Sequence, residues 1–187
     1  MDIAIQLPKQ SESDFILALI NHERWAQKQL YESNYSCLLA IAMRYAGNNE
    51  DAFDILHESF IKIFNNIHKY KIDTSFTAWI KRILINTAID FYRKEIKRKV
   101  EDLDQAYYLS TDIPDAVSKM SSEEIMQAMQ QLPPSYRSVF NLFVIEGYSH
   151  RDISKMLGIN ESTCRSNLVK ARARLKTILL ALDSGLR

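Results

Sequence analysis

The segment YSHRDISKMLGINESTCRSNLVKARARLK, residues 148–176, contains the pattern that decides the fold of this chain. Ser149 precedes an apolar-periodic stretch that ends at Gly158, and Asn160 stands directly before a second, longer stretch. Ser and Asn side chains accept hydrogen bonds from the first free amides of a helix, and glycine adopts the left-handed conformation that ends one. The pattern therefore predicts helices at 150–157 and 161–182 joined by a tight turn, which is a helix-turn-helix motif.

The second predicted helix has an apolar face that includes a cysteine. Its apolar residues recur at alternating spacings of four and three, which places them on one inward stripe: Cys164, Leu168, Ala171, Leu175, Ile178 and Leu182. A small thiol on such a face behaves as a small apolar side chain. His150 is the histidine near it in sequence, and one His with one Cys does not make a metal site. We therefore expect Cys164 to be part of the core.

The opposite face of the same helix carries hydroxyl groups and cations. Arg can donate two hydrogen bonds to guanine O6 and N7, and hydroxyls or Lys can hold phosphates. The favourable interaction of cations with the C-terminal end of a helix explains Arg174 and Lys176. It does not explain Arg165, which lies in the first turns. We therefore expect this face to contact DNA in the major groove. The predicted contacts are Ser162, Thr163, Arg165, Ser166, Val169, Lys170 and Arg172.

Residues 132–175 resemble region 4 of bacterial RNA polymerase sigma factors of the extracytoplasmic-function (ECF) class, in the sigma-70 family. The family pattern reads L-P-x-x-x-R-x-V-F, then E-G-x-S, then I-A-x-x-L-G-I, then T-V-[KR]-S-R-x-x-R-A-R. The resemblance implies that helix 161–182 binds the −35 promoter element. Cys164, Asn167 and Lys170 stand where the family usually has Val, Arg and Arg.

Outside this motif, glycines and prolines divide the chain into further helical stretches. Residues 12–46 are predicted as one helix or two, and further helices are predicted at 49–68, 75–99, 121–131 and 135–146. No segment shows the alternation of a strand. The predicted fold class is all-α, with two small helical domains at 1–99 and 121–187. They are joined by an acidic linker at 100–120, which is interrupted by Pro114.

Composition excludes several classes of protein. The chain has 187 residues, 47% hydrophobic and 25% charged, which is enough for a core. Its apolar runs are too short to cross a membrane, and Cys37 and Cys164 form no C-x-x-C. We expect no leader segment, because no charged stretch followed by an apolar one opens the sequence. We expect a cytoplasmic protein that does not insert into membranes. We also expect no enzyme activity, no cofactor and no metal, because no nucleotide loop or ligand cluster is present.

Acidic and basic blocks alternate along the chain. Residues 69–100 and 134–187 are net basic, whereas residues 1–68 and 101–133 are net acidic. Two separate basic segments suggest two contacts with a polyanion, and solvated helix faces are the alternative interpretation.

Helix 49–68 carries a stripe of carboxylates, Asp51, Asp54 and Glu58, separate from an apolar side with Phe53, Leu56, Phe60, Ile63 and Ile67. An acidic stripe suits docking on basic helices of another protein, and an ordinary solvated face is the alternative. The stretch DAFDILHESFIKIF resembles the region 2 helix of sigma factors, with His57 in place of the usual Gln. The resemblance implies docking on the clamp helices of the polymerase largest subunit through Asp51, Asp54, His57, Glu58 and Lys62.

Residues 69–99, KYKIDTSFTAWIKRILINTAIDFYRKEIKRK, combine cations with aromatic rings, as a surface for unstacked single-stranded bases requires. Trp79 shares a face with Phe76 and Ile83 and is expected to be mainly core, so Tyr70 and Tyr92 are the better candidates for base contact. The stretch resembles the part of sigma region 2 that melts the −10 element. The predicted contacts are Lys69, Tyr70, Lys71, Lys81, Arg82, Asn86, Tyr92, Arg93 and Lys94.

The resemblance implies a sigma factor that directs promoter-specific initiation by binding core RNA polymerase and assisting DNA melting. Its implied partners are promoter DNA, an anti-sigma factor, and core polymerase at the clamp helices and at the flap of the second-largest subunit. A helix-turn-helix regulator that acts alone on an operator is the alternative, although it leaves the pattern at 49–99 unexplained. A serine recombinase, the enzymatic alternative, would need a strand-rich catalytic domain.

Overall fold

The computed structural model describes residues 12–72, 74–99 and 121–183, and the predicted linker at 100–120 lies outside them. The α-helices are α1 (Glu12–Ile20), α2 (Arg24–Tyr45), α3 (Asn49–Asn66), α4 (Phe76–Lys99), α5 (Ser122–Gln130), α6 (Pro134–Phe140), α7 (His150–Leu157) and α8 (Glu161–Asp183). A 3₁₀ turn at Ile67–Lys69 follows α3, and a π-helical turn at Asn141–Ile145 follows α6. No strand occurs in the described ranges, and the all-α prediction is confirmed. None of the helices in these ranges is long and apolar enough to cross a membrane.

The predicted stretch 12–46 consists of two helices that meet at His22, which has a φ of 57°. His22 N donates to the Leu19 carbonyl at 3.1 Å, and Glu23 N donates to the Ala18 carbonyl at 2.9 Å. These bonds form a Schellman motif, which satisfies the free carbonyls at the end of α1. Glycine usually occupies the left-handed position of this motif. The sequence could not show where the break lies because histidine stands there instead.

The chain divides into two compact units. The first comprises the described residues up to Ala42 together with Asn49–Ala88, and the second comprises Met43–Asn48 and the described residues from Ile89 onward. Residues of both α2 and α4 therefore occur in both units. The domain boundaries predicted from the sequence, at 99 and 121, stay a prediction.

The core of the first unit is formed by the apolar faces of α1 to α4. In α3 the buried residues are Ala52, Ile55, Leu56, Ser59, Phe60 and Ile63. The ring of Phe60 packs against Tyr31 of α2 at a centroid distance of 4.6 Å. Burying a side chain such as Ile55 or Leu56 contributes about 1.5–3 kcal/mol. This inward face fixes which side of α3 remains available to a partner.

The core of the second unit is built around α8, which packs against α5, α6 and α7. Its central cluster consists of Ala128, Met129, Leu132, Ala171, Ile178 and Leu179. Cys164 and Leu168 continue the buried stripe toward the N-terminus of α8. The predicted inward stripe is thereby confirmed, including its cysteine. α5 begins with a capping box in which the Ser121 hydroxyl accepts from Glu124 N and the Glu124 carboxylate accepts from Ser121 N.

Arg137 of α6 is almost completely buried in the second unit, with 2% of its surface exposed. Its Nε donates to the Tyr45 carbonyl at 2.9 Å, and its Nη1 donates to the Gln130 carbonyl at 2.8 Å. Tyr45 and Gln130 are the last residues of α2 and α5. A single guanidinium thus caps two helix C-termini, where free carbonyls and the helix dipole both favour a cation. A Cβ at Gly47 would lie 3.3 Å from Nη2 of this guanidinium, so the adjacent turn has little room for a side chain.

Candidate nucleic-acid interface

The helix-turn-helix forms as the sequence predicts. The Ser149 hydroxyl accepts from Asp152 N at 3.2 Å and caps α7. Gly158 ends that helix with a φ of 70°, in the left-handed conformation that glycine adopts without strain. Asn160 precedes α8, and its carbonyl accepts from Cys164 N at 2.9 Å. These local bonds set the direction in which α8 leaves the turn.

The exposed side of α8 presents every residue predicted to contact duplex DNA. Ser162, Thr163, Arg165, Ser166, Val169, Lys170 and Arg172 are all exposed, while Cys164, Leu168 and Ala171 face inward. Val169 keeps 55% of its surface exposed although it is apolar. Asn167, which stands where the sigma family usually has Arg, is 8% exposed and belongs to the inner side. The structure therefore brings the predicted donors together on one helix face.

Arg165 is paired with a residue that sequence reasoning did not include among the contacts. Its Nη2 lies 2.5 Å from Oε1 of Glu161, one helical turn earlier. The two side chains are 62% and 45% exposed. Their spacing of four is the one that brings two side chains of a helix together. Inspection of helical neighbours around Arg165 would therefore have found this pair.

His150 contacts Cys164 beneath this face. Its Nδ1 lies 3.3 Å from the Cys164 Sγ, and its ring stacks on Phe143 at a centroid distance of 4.4 Å. Burial raises the pKa of the Cys164 thiol, which therefore stays protonated at neutral pH. Burial lowers the pKa of His150, and the charge of Arg165 acts in the same direction. No group of three or more metal-ligating side chains occurs within the described residues.

Acid is expected to weaken the second unit through His150. Because the folded pKa of His150 lies below its ordinary value of 6.5, the unfolded chain binds the proton more readily. The stability contribution is present above about pH 6.5 and is lost as the pH falls through the folded pKa. His150→Asn should therefore lose less stability than wild type between about pH 7 and about pH 5. Urea unfolding followed by circular dichroism at several pH values measures this.

The exposed His68 provides the control for that experiment, since it belongs to the first unit. His68→Asn should leave the pH dependence of the second unit as in wild type. An identical acid dependence in His150→Asn and wild type would contradict the role given to His150.

The basic segment around α4 keeps most of its predicted contacts on the surface. Lys69, Lys71, Arg82, Asn86, Arg93 and Lys94 are exposed, and Lys81 is half-buried. Arg93 has protein partners in the second unit: its Nη2 donates to the Met156 carbonyl at 2.7 Å, and its Nη1 lies 3.8 Å from Asp90. These contacts occupy only some of the five N–H donors of Arg93, whose side chain stays exposed.

The rings of Tyr70 and Tyr92, the two tyrosines predicted to contact bases, are buried. Each is 6% exposed. The Tyr70 hydroxyl donates to the Thr74 carbonyl, and its ring packs against Phe76 at 5.0 Å. Tyr92 follows the buried Ala88 and Ile89 by four and three residues, so it shares their inward face. Burial raises the pKa of Tyr92, and the charge of Glu95 adds to this.

Trp79, expected to be mainly core, is half-buried and packs against Phe76 at 6.0 Å. The rings of this segment thus serve the core more than the surface. The exposed side of the segment presents cations and Asn86, which are the groups available to a nucleic-acid strand.

The outward face of α3 combines acidic and apolar residues. Asp54, His57 and Glu58 are exposed, whereas Asp51 and Lys62 are half-buried. Phe53, which the sequence places on the apolar side of this helix, is 36% exposed and stacks on His57 at a centroid distance of 6.5 Å. Ile61, which the sequence did not single out, is 53% exposed one turn further along. Phe53, His57 and Ile61 follow at intervals of four, so they form one stripe beside the carboxylates.

Two family models match the chain. The model described as Sigma-70 region 2 matches residues 30–98, and the model described as Sigma-70, region 4 matches residues 122–175, together about two thirds of the chain. The chain belongs to the sigma-70 family. It is an RNA polymerase sigma factor of the ECF class, as the sequence resemblance predicted.

Among its relatives, the ECF RNA polymerase sigma factor SigM of Mycobacterium tuberculosis is 25% identical over 178 residues, covering 95% of this chain and 89% of the relative. The RNA polymerase sigma factor SigV of Bacillus subtilis is 29% identical over 143 residues, covering 76% of this chain and 84% of the relative. Among solved structures, the sigma factor RpoE in complex with the anti-sigma factor NepR from Bartonella quintana is 24% identical. That comparison has a TM-score of 0.49 and covers 81% of this chain and 95% of RpoE.

The matched regions of this sigma factor contain all the predicted sites. The residues predicted for the −35 element lie within 122–175, and those predicted for core polymerase and the −10 element lie within 30–98. A regulator that acts alone on an operator is not favoured, because it would leave the region 2 match without a role.

Proposed function

We propose that this sigma factor reads an upstream promoter element with the exposed face of α8, docks on core RNA polymerase with the outward face of α3, and holds an opened strand on the basic surface of α4. The observation that carries the proposal is the exposure of every predicted donor on one side of α8, within the region 4 match. The process involves no covalent chemistry, since binding energy alone drives promoter melting.

The face of α8 contains the groups that base readout in the major groove requires. Arg165 can donate to guanine O6 and N7, and the exposed Val169 suits the methyl group of thymine. Lys170 and Arg172 lie further along the helix, where phosphate contacts would position it. α7 then occupies the place of the helix that crosses the DNA backbone.

The outward face of α3 has the composition of a docking surface. Apolar Phe53 and Ile61 lie beside Asp54 and Glu58. A partner with basic helices would therefore bury these apolar side chains and be attracted by the carboxylates. The clamp helices of the polymerase largest subunit are the proposed partner. A contact of region 4 with the flap of the second-largest subunit completes the proposed assembly.

The surface around α4 supplies positive charge for a single strand. Lys69, Lys71 and Arg82 are exposed within the first unit, and so is Asn86, one helical turn after Arg82. Cationic surfaces bind the sugar-phosphate backbone, and their affinity falls with salt. Tyr70 and Tyr92 have no part in this proposal because their rings are buried.

Regulation by an anti-sigma factor and a cytoplasmic location complete the proposal. Membership of the ECF class supports both. For the location the reason is that transcription takes place in the bacterial cytoplasm. A pull-down of candidate anti-sigma domains on the immobilised full chain tests the first.

The proposed function is tested by transcription in vitro. The full chain is mixed with bacterial core RNA polymerase and a promoter library, and the start sites are sequenced. Specific starts that depend on the chain support the proposal. A chain that binds no core enzyme but protects an operator by itself would overturn it.

Arg165→Ala is expected to relax selection at one base pair of the upstream element. Loss of a bidentate guanine contact costs about 1–3 kcal/mol of discrimination. Sequencing of transcripts from promoters with a randomised upstream element measures the change. Arg174→Ala is the matched control, since Arg174 is exposed on the same helix but lies nearer its C-terminal end. Equal selectivity of Arg165→Ala and wild type would exclude Arg165 as a base reader.

A further inference from the structure

Glu161 is an acidic residue on the helix face that the proposed function brings against DNA. It is the first residue of α8, and its carboxylate is 2.5 Å from the Arg165 guanidinium. A carboxylate near phosphates weakens binding, because like charges repel. Its presence beside the principal base-reading candidate therefore calls for a role that offsets this repulsion.

Stability gives only a small part of that role. Both partners are about half exposed, and exposed ion pairs at this spacing contribute little to stability. A carboxylate in the first turn also interacts favourably with the helix dipole. That dipole effect does not require Arg165, and Glu123 in the first turn of α5 has the same advantage. The specific feature of Glu161 is its contact with Arg165.

The contact constrains the guanidinium and leaves most of its N–H donors available. The carboxylate accepts from Nη2, and a guanidinium has further N–H groups in a planar fork. A side chain held in one rotamer loses less conformational entropy when it binds a base. In a complex with DNA, the carboxylate would also repel acceptor groups on the base edges close to it. It would accept a hydrogen bond from the amino group of a cytosine.

We infer that Glu161 is a positioning residue that holds Arg165 for guanine and thereby sharpens base selection at the pair that Arg165 reads. This inference rests on the proposed function, because it requires α8 to lie in the major groove of a promoter. Glu161 lowers affinity for unspecific DNA and raises discrimination at one base pair.

The experiment uses holoenzyme reconstituted from the full chain and bacterial core RNA polymerase, with a promoter library randomised in the upstream element. Wild type, Glu161→Gln, Arg165→Ala, the double variant and Glu123→Gln are compared. Glu123→Gln makes the same chemical change in the first turn of another helix of the same unit. Glu161→Gln should lower the guanine preference about fivefold, at the base pair relaxed in Arg165→Ala. Binding of holoenzyme to promoter-free duplex should rise.

The double variant separates positioning from a general effect on α8. If Glu161 acts through Arg165, adding Glu161→Gln to Arg165→Ala should change selection no further. Glu161→Asp, which keeps the charge on a shorter arm, should restore part of the preference. A thermal melt of each variant checks that the fold is retained.

The outcomes distinguish the inference from the proposed function. Suppose that wild type selects bases in the upstream element and that Glu161→Gln has the same base preferences as Glu123→Gln. This result would overturn the inference and leave the proposed function intact. Equal relaxation at all base pairs, or additive effects in the double variant, would also overturn it. If wild type shows no selection in the upstream element, the proposed function itself is wrong.

Discussion

Replacing Arg137 with leucine is expected to lower the free energy of unfolding of the second unit by about 3 kcal/mol. The guanidinium donates to the carbonyls of Tyr45 and Gln130, each at the end of a helix. Leucine removes both donors and leaves the carbonyls in place. A buried charge can be replaced by an apolar side chain at little cost only when its partners are replaced too, and backbone carbonyls cannot be.

Hydrogen exchange of the α5 and α6 amides measures this loss within the second unit. Both tryptophans, Trp25 and Trp79, belong to the first unit, so their fluorescence reports that unit separately. Arg137→Lys should be intermediate, because an ammonium group is a point donor and cannot reproduce the planar fork. The control Arg174→Leu changes an exposed arginine and should stay within about 0.5 kcal/mol of wild type. Unchanged protection of α5 and α6 in Arg137→Leu would contradict the double-cap role.

The sequence predicted features of this fold that depend on neighbouring residues. The turn between α7 and α8 was predicted because Ser149 caps the start of α7 and Gly158 ends it, both through the backbone beside them. The inward stripe of α8 was predicted because helical periodicity alone determines which side chains share a face. The same periodicity placed the predicted DNA contacts on one exposed side.

The failures concern contacts that depend on tertiary packing. Arg137 caps Tyr45 across 92 positions in sequence, and no local pattern indicates such a partner. Tyr70 and Tyr92 were predicted to contact bases from their chemistry, and the structure buries their rings, because aromatic rings beside apolar neighbours stabilise the fold by burial. Phe53 lies at the edge of the apolar side of α3, where a small helix rotation decides between core and solvent.

Replacing Ile61 with lysine is expected to lower affinity for core RNA polymerase about 100-fold, or about 2.7 kcal/mol. Ile61 is 53% exposed beside Glu58, so the free chain loses little by the change. In the proposed complex the ammonium would be desolvated and would face the basic clamp helices, and both effects oppose binding. Glu58→Lys should act in the same direction through charge alone, and with a smaller effect.

Titration of labelled core polymerase with the full chain measures this affinity at fixed salt concentration. Leu17→Lys is the matched control, since Leu17 is an aliphatic residue of the same unit and is 52% exposed. It should bind core polymerase as wild type does, because it lies on α1 and is not part of the proposed docking surface on α3. Equal losses in Ile61→Lys and Leu17→Lys would indicate a general charge effect. Retained affinity in Ile61→Lys, with tryptophan fluorescence showing an intact first unit, would exclude the α3 face as the polymerase-docking surface.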